Sequence, residues 1–400
     1  MGDMVFEKPL GNSKTPISII PYVNGLVGKD YENGTTTEDF KYGGDAKMTI
    51  GNSMNLDLTV NPDFSQVEVD QQVTNLTRFE VSLPERRQFF IENSDLFADF
   101  GNNRDANPFF SRRIGIARDT DDNSIENDII AGVRLSGKIS NNLRLGILNM
   151  QTAEDLTNEI PATNNSVITA QHKLFNRSNI SFMFINKQAT KDYDFLANED
   201  KYNRVFGVDY RLASEDNSWI GKYFFHKSFS PDTSGKDVSS GATTEYNSRN
   251  WNFRFGAIYV GENFRSDLGF IRRTDVFKIS PRIERVFWPK TGAIQKHSIS
   301  VMPFYLWRPE LDFEKSDHTI VTSWNAELKN TSNRELQMNN RFTHLYDGFD
   351  PTRTDGGTPL PGNEDYHYTS FEANYRSDQR KQFSYNISPS IGQFYNGKKY

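Results

Sequence analysis

Residues 61–90 read NPDFSQVEVDQQVTNLTRFEVSLPERRQFF and combine acidic side chains, arginines and phenylalanines around one Pro-Glu-Arg-Arg step. Glu68 and Asp70 stand two positions apart, and on an extended strand this spacing places both carboxylates on the same face. Glycoside hydrolases use a pair of carboxylates, so this pair is one candidate for glycan cleavage. Acids that lie close to arginines usually form structural ion pairs, and we therefore predict no catalytic residue here.

Two motifs place arginines beside aromatic residues, PERRQFF at 84–90 and FFSRRIG at 109–115. Guanidinium groups bind carboxylates and phosphates through paired hydrogen bonds and suit partly buried positions. The motifs predict either a site for an anionic or sugar ligand or a set of internal salt bridges, of which the salt bridges are the simpler explanation. The candidate binding residues are Glu68, Asp70, Glu85, Arg86, Arg87, Arg112 and Arg113.

Metal and cofactor motifs are absent from the sequence. Its six histidines are scattered and form no H-E-x-x-H pair. The oxygen-rich stretch DTDDNSIEND at 119–128 lacks the central glycine and closing glutamate of an EF-hand, so we interpret it as a solvated loop. No glycine-rich phosphate loop and no nucleophile elbow are present. We expect no metal and no cofactor.

Composition excludes several classes of protein. The chain has 400 residues, no cysteine and a net charge of -6. The missing cysteines exclude a disulfide framework and thiol catalysis. The absence of a basic stripe argues against nucleic acid as a partner.

The elements that must position these residues are β-strands. WNFRFGAIYV at 251–260 places Trp251, Phe253 and Phe255 on one face and Asn252 and Arg254 on the other. This period of two is typical of a strand with one apolar and one polar face. Many such runs are about 9–11 residues long, which is the length of a transmembrane β-strand, whereas strands of soluble proteins average about 5–6.

Tight turns and long polar loops separate the alternating runs. This layout predicts an all-β fold, a large antiparallel transmembrane β-barrel of about 14–18 strands with lipid on its apolar face. A run at 264–272 is predicted to be one of the strands. The polar face would line the lumen, and it would carry Arg144, Asp209, Arg211, Lys222, Arg254 and Asp267.

Several sequence blocks follow one another in a specific order and spacing: DLTVNPD at 57–63, QVEVD at 66–70, NLTRFE, PERRQFF, ENSDLF, FFSRRIG, GVRLSGKI and GILNMQT. In these blocks, within residues 15–155, the sequence resembles an uncharacterised (domain-of-unknown-function) family of Gram-negative outer-membrane β-barrels. Members of that family are often preceded by a module similar to family-nine carbohydrate-binding domains. The resemblance implies an outer-membrane protein that acts in transport or surface binding, with saccharides as the ligand class.

Residues 61–128 interrupt the strand pattern, and we interpret them as an insert or plug folded into the lumen of a single barrel domain at 1–400. Paired charges avoid lipid in such a position, and the phenylalanines of the segment would anchor it. The start MGDMVFEKPL has no signal-peptide pattern, and the end FYNGKKY lacks a regular closing strand. From this we expect a fragment of a longer outer-membrane protein whose native signal peptide is not part of this chain.

Two other functions fit the same sequence. One is a surface-exposed hydrolase that cleaves glycans with carboxylates from the 61–128 segment. The other is a soluble β-sandwich that acts as a binding module. For the barrel, the expected partners are outer-membrane lipid and a saccharide, without nucleic acid.

Overall fold

The computed structural model describes residues 17–29, 34, 36–51, 53–62, 78–120, 124–352 and 356–400. Within them the fold is all-β, as predicted, and is dominated by one antiparallel sheet of 20 strands. No helix in this part of the chain is long and apolar enough to cross a membrane.

Most strands from β7 onward coincide with alternating runs of the sequence, but β13 lies in a polar stretch without such alternation, and the two short helices interrupt the pattern. The strands are β1 (Ile17–Lys29), β2 (Thr36–Ile50), β3 (Met54–Val60), β4 (Ala106–Asn107), β5 (Ile116–Arg118), β6 (Ser124–Glu126), β7 (Ile129–Lys138), β8 (Leu143–Thr152), β9 (Thr163–Leu174), β10 (Ser178–Ala189), β11 (Tyr202–Ala213), β12 (Trp219–Phe229), β13 (Val238–Asn247), β14 (Trp251–Val260), β15 (Phe270–Ile271), β16 (Val276–Ile279), β17 (Arg282–Phe287), β18 (Ile294–Arg308), β19 (Glu314–Leu328), β20 (Asn333–Leu345), β21 (Glu364–Arg376), β22 (Asn386–Ile387), β23 (Ser390–Phe394) and β24 (Gly397–Lys399). The helices are α1 (Gln88–Ile91) and α2 (Asp95–Ala98), with 3-10 turns at Ser111–Arg113, Asn198–Asp200 and Pro309–Leu311.

The large sheet is a meander in which nearly every strand pairs with the next sheet strand along the chain. Its 20 strands exceed the predicted number of about 14–18 because two runs are each broken into two short strands. β16 and β17 share the neighbours β14 and β18, and β22 and β23 both pair with β21. Within the described residues, the pairing ends at β1 on one side and at β24 on the other.

One predicted strand is wrong. Only Phe270 and Ile271 of the run at 264–272 are extended, and they pair with β4 rather than with the large sheet. The run contains several polar residues, and its only extended part pairs with β4. It therefore forms a connection at 261–275 instead of a strand of the large sheet. Asp267 therefore lies in this connection.

Connections at the two ends of the sheet differ in length. At one end most strands are joined by short turns, at 139–142, 175–177, 214–218, 248–250, 288–293 and 329–332, and the connection at 377–385 is the longer exception. At the other end most connections are longer, at 61–128, 153–162, 190–201, 230–237, 261–275 and 346–363, and the connection at 309–313 is the short exception. We call these ends the short-turn end and the long-loop end.

The longest connection packs on one face of the sheet. We call residues 78–118 the insert, the sheet face that they cover the inner face, and the opposite side the outer face. Phe90, Phe97 and Phe109 of the insert are buried in one apolar cluster with Leu148 and Met183 of the sheet. Complete burial of such a side chain stabilises the fold by roughly 1.5–3 kcal/mol.

The inner face is therefore partly apolar beneath the insert. On β8, Gly146 faces the same side as Leu148, and a Cβ atom at Gly146 would lie 2.8 Å from Cζ of Phe97. This close approach requires glycine, since a methyl group would displace the phenyl ring. Phe97 thus packs on the inner face, which the sequence pattern predicted to carry only polar residues and glycines.

The outer face shows the opposite pattern. On β10, Met183 and Ile185 are buried, whereas Phe182 and Phe184 between and beside them are exposed. The same alternation leaves Phe225 on β12 51% exposed and Phe255 on β14 52% exposed. Among the described residues, the outer face consequently presents a row of large apolar side chains with no second layer of protein covering it.

Candidate functional site

The predicted binding residue Glu85 is held inside the insert by neighbouring donors. Its Oε1 accepts hydrogen bonds from the backbone N–H and Nε of Arg87, both at 2.9 Å. Its Oε2 accepts from Arg87 Nη2 at 2.7 Å and from the Ser111 hydroxyl at 2.6 Å. Burial raises the pKa of the Glu85 carboxyl, but the hydrogen bonds and charge of Arg87, with the Ser111 hydroxyl, outweigh burial and lower the pKa below its ordinary value. A carboxylate fixed in this way has no proton to donate at neutral pH.

Arg87 uses its remaining donors to join the two arginine motifs. Its Nη1 donates to the Ile114 carbonyl and its Nη2 to the Ser111 carbonyl, both at 2.7 Å. Its guanidinium also lies 4.3 Å from the centre of the Phe90 ring. These contacts connect PERRQFF to FFSRRIG. The two motifs that suggested a binding site therefore also stabilise the insert itself.

The Glu85→Gln variant is expected to lose about 1.5–3 kcal/mol of stability at pH 7, because the amide cannot replace the charged hydrogen bonds to buried Arg87. A carboxyl group with a lowered folded-state pKa stabilises the protein above its unfolded-state pKa, and this contribution is lost as the pH falls through the folded-state value. The difference between wild type and variant should therefore shrink on acidification below about pH 4. Urea unfolding at several pH values measures it.

Glu80→Gln is the matched control. Glu80 pairs with Arg113 at 2.5 Å, but its side chain is 48% exposed, so its loss should cost no more than about 1 kcal/mol. An equal and pH-independent cost in both variants would contradict the role assigned to Glu85.

The other predicted binding residues are distributed over the insert. Arg112 donates from Nη1 to the Pro84 carbonyl at 3.0 Å, and Arg113 donates from Nε to the Gly269 carbonyl at 3.0 Å. Arg86 is half-buried beside Glu85. Glu68 and Asp70, the predicted carboxylate pair, lie outside the described residues.

A buried polar cluster joins the insert to the sheet wall, and sequence reasoning missed its histidine. His226 Nε2 lies 2.7 Å from Asp209 Oδ1, and both side chains are almost fully buried. The other Asp209 oxygen accepts the Gly101 backbone N–H of the insert at 2.9 Å. Asp99 of the insert pairs with Arg211, and its carbonyl accepts from Lys222 Nζ at 3.1 Å. The only signal in the sequence was the position of each residue in the alternation of its strand, which places 209, 211, 222 and 226 on the inner face.

A cavity of about 940 Å³ opens at the long-loop end between the insert and the connections. Its walls combine amide, hydroxyl and charged groups, among them Asn165, Lys187 and Asn263, with apolar side chains such as Ile116 and Ile160. Arg265 is fixed there by Asp267, whose Oδ1 accepts from its Nε at 2.6 Å. A polar cavity of this size can hold a small hydrophilic molecule such as a sugar.

Comparison with known proteins gives one positive finding. The model of the family described as "Domain of unknown function (DUF5916)" matches residues 13–400. The chain belongs to the DUF5916 family. The match includes the blocks within 15–155 that carried the resemblance, and it extends over the strands that follow them. No curated protein and no solved structure matches this DUF5916 chain.

Proposed function

We propose that this DUF5916 protein is an integral outer-membrane protein of a Gram-negative bacterium. In this proposal the large sheet closes into a β-barrel, the outer face contacts lipid, and the insert forms a plug in the lumen. The protein would act in transport or surface binding of saccharides, with the cavity at the long-loop end as the site of first contact.

The exposed apolar row on the outer face carries the proposal. Phe182 is 43% exposed, and neighbouring strands continue the row with Phe206, Phe225 and Phe255. Extended apolar patches of this kind mark contact with a membrane or a partner, because water hydrates them unfavourably. In a β-sandwich this face would be covered by a second sheet, and none covers it in the described part of the chain.

Aromatic side chains at both ends of the outer face add support. At the short-turn end, Trp219 lies 5.0 Å from Tyr246 and Trp251 lies 5.5 Å from Phe253, measured between ring centres. At the long-loop end, Phe277, Tyr305 and Trp307 form a second group. Two aromatic girdles that flank an apolar band are typical of outer-membrane barrels.

The difference in connection length supports the same function. Outer-membrane barrels have short turns on the periplasmic side and long loops on the extracellular side. The insert and the polar cavity both belong to the long-loop end, so a ligand from outside the cell would meet them first.

Electrophoretic mobility tests the proposal. The folded protein is expected to require detergent for a monodisperse preparation, and to change its mobility in SDS gels on boiling, as closed outer-membrane barrels do. A monodisperse monomer in plain buffer, with the same mobility before and after boiling, would contradict it.

A further inference from the structure

A second cavity, of about 420 Å³, lies on the inner face between the first residues of the insert and the strands from β14 to β23. Arg78 and Phe79 line it from the insert, and Arg272 and Arg273 line it from the connection before β16. Arg341 lines it from β20. The pair Arg272–Arg273 is the third Arg-Arg step of the chain to lie near the insert, after those in PERRQFF and FFSRRIG.

Positive charge exceeds negative charge in the described lining of this cavity. Its cationic side chains are Arg78, Arg272, Arg273, Lys278 and Arg341, and its carboxylates are Asp105 and Asp317. Asp317 accepts from Arg273 at 2.6 Å and from Arg78 at 3.2 Å, and Asp105 accepts from Lys278 at 2.8 Å. Within the described residues, Arg272 and Arg341 form no ion pair with a carboxylate.

One phenyl ring lies among three of these guanidinium groups. The central guanidinium carbons of Arg273, Arg272 and Arg78 lie 4.1, 4.4 and 5.2 Å from the centre of the Phe79 ring. The face of an aromatic ring attracts a cation only weakly and does not neutralise three. Burial lowers the pKa of Arg272 and the charge of Arg273 lowers it further, and the charges of Asp105 and Asp317 offset this lowering only in part. The cluster is therefore arranged to favour an added negative charge.

A neutral donor at the cavity wall also lacks a partner. Asn339 is 1% exposed, and its Oδ1 accepts from Gln337 Nε2 at 2.7 Å. Its Nδ2 has no acceptor among the described residues. A buried N–H group without an acceptor costs free energy, and an oxygen atom of a ligand would remove this cost.

We propose that this cavity binds a small organic anion, whose carboxylate or phosphate group contacts Arg272, Arg341 and the Asn339 amide. Aromatic side chains in the same lining, Tyr368 and Tyr395, stack with ring centres 5.2 Å apart and provide a surface for the ring of the ligand. A sugar acid or a sugar phosphate combines the required charge with such a ring. The cavity volume is within the usual range for small-molecule sites.

Calorimetric titration of the folded 400-residue chain, in detergent and low salt, tests this inference with glucuronate, glucose 6-phosphate and glucose. We expect one or both anions to bind and neutral glucose to bind at least about tenfold more weakly. Binding of only one anion identifies the acidic group. Equal binding of glucose, or no binding of either anion, would overturn the inference.

Arg272→Gln is expected to weaken anion binding by about tenfold or more, because it removes a charged donor that no carboxylate of the described residues holds. Arg249→Gln is the control, since Arg249 is exposed in a short turn and loses the same charge outside the cavity. If both variants bind the anion as wild type does, Arg272 has no role in recognition and the inference fails.

Asn339→Asp separates recognition from folding. The new carboxylate would supply the missing negative charge from within the protein, so anion binding should be lost while the thermal unfolding temperature stays the same or rises. A fall in that temperature would contradict the excess of positive charge.

The result is independent of the membrane proposal. A chain that shows heat-dependent mobility but binds no anion would refute the cavity assignment alone. A water-soluble chain that binds the anion would refute the membrane location alone.

Discussion

Replacing Asp57 with alanine is expected to destabilise the protein by about 3–5 kcal/mol, because it leaves the guanidinium of Arg134 buried without its counter-ion. Arg134 is only 2% exposed, and its Nη2 donates to Asp57 at 2.9 Å across the β3–β7 pair. Its Nη1 donates to the Glu92 carbonyl at 2.8 Å. The ion pair fixes Arg134 in the position from which it binds the insert, so the loss of Asp57 should also loosen the insert and expose it to protease. Urea unfolding and limited proteolysis measure the two effects.

Asp95→Ala provides the matched control for Asp57→Ala. Asp95 also connects the insert to the wall, through Arg144 Nη1 at 2.6 Å, but its side chain is 56% exposed. Water screens this pair, so its removal should cost about 0.2–1 kcal/mol. Equal losses in the two variants would show that burial of Arg134 does not determine the strength of the attachment.

If the outer face contacts lipid, as proposed, replacing Phe184 with arginine is expected to destabilise the folded protein in lipid by about 2–4 kcal/mol, the cost of a cation near the bilayer midplane. Phe184 lies near the middle of β10 on the outer face, between Ile168 of β9 and Phe206 of β11. Urea unfolding in lipid vesicles gives the free energy, and the fraction of heat-sensitive folded band gives an independent reading.

Phe175→Arg is the control in the same hairpin. Phe175 is 84% exposed in the turn between β9 and β10, where an arginine would reach the membrane interface at a cost of about 0–1 kcal/mol. In a water-soluble protein, Phe184→Arg would not destabilise the fold. An arginine there would then replace an exposed apolar ring, raise solubility and leave the unfolding free energy almost unchanged.

The sequence predicted some of the residues of the candidate sites and missed others. The sequence identified the two arginine motifs, and the structure joins them through Arg87, Glu85 and Ser111. It did not identify Arg272, because the surrounding run was predicted as a wall strand. An Arg-Arg step on a regular strand would point one guanidinium to each side, whereas the connection before β16 turns both toward one cavity.

Alternation of side chains determined by itself that the chain forms β-strands with an apolar outer face, because a strand has a fixed period of two. The parity of a position in its strand is therefore enough to assign Asp209 and His226 to the inner face. This alternation gives neither the register between neighbouring strands nor the distance of a residue from either end of the sheet. Only the structure shows that the inner face is also apolar where the insert packs on it. Only the tertiary structure brings Asp317 to Arg78 and Arg273, or Gly101 to Asp209, since the docked insert and the strand register together set those distances.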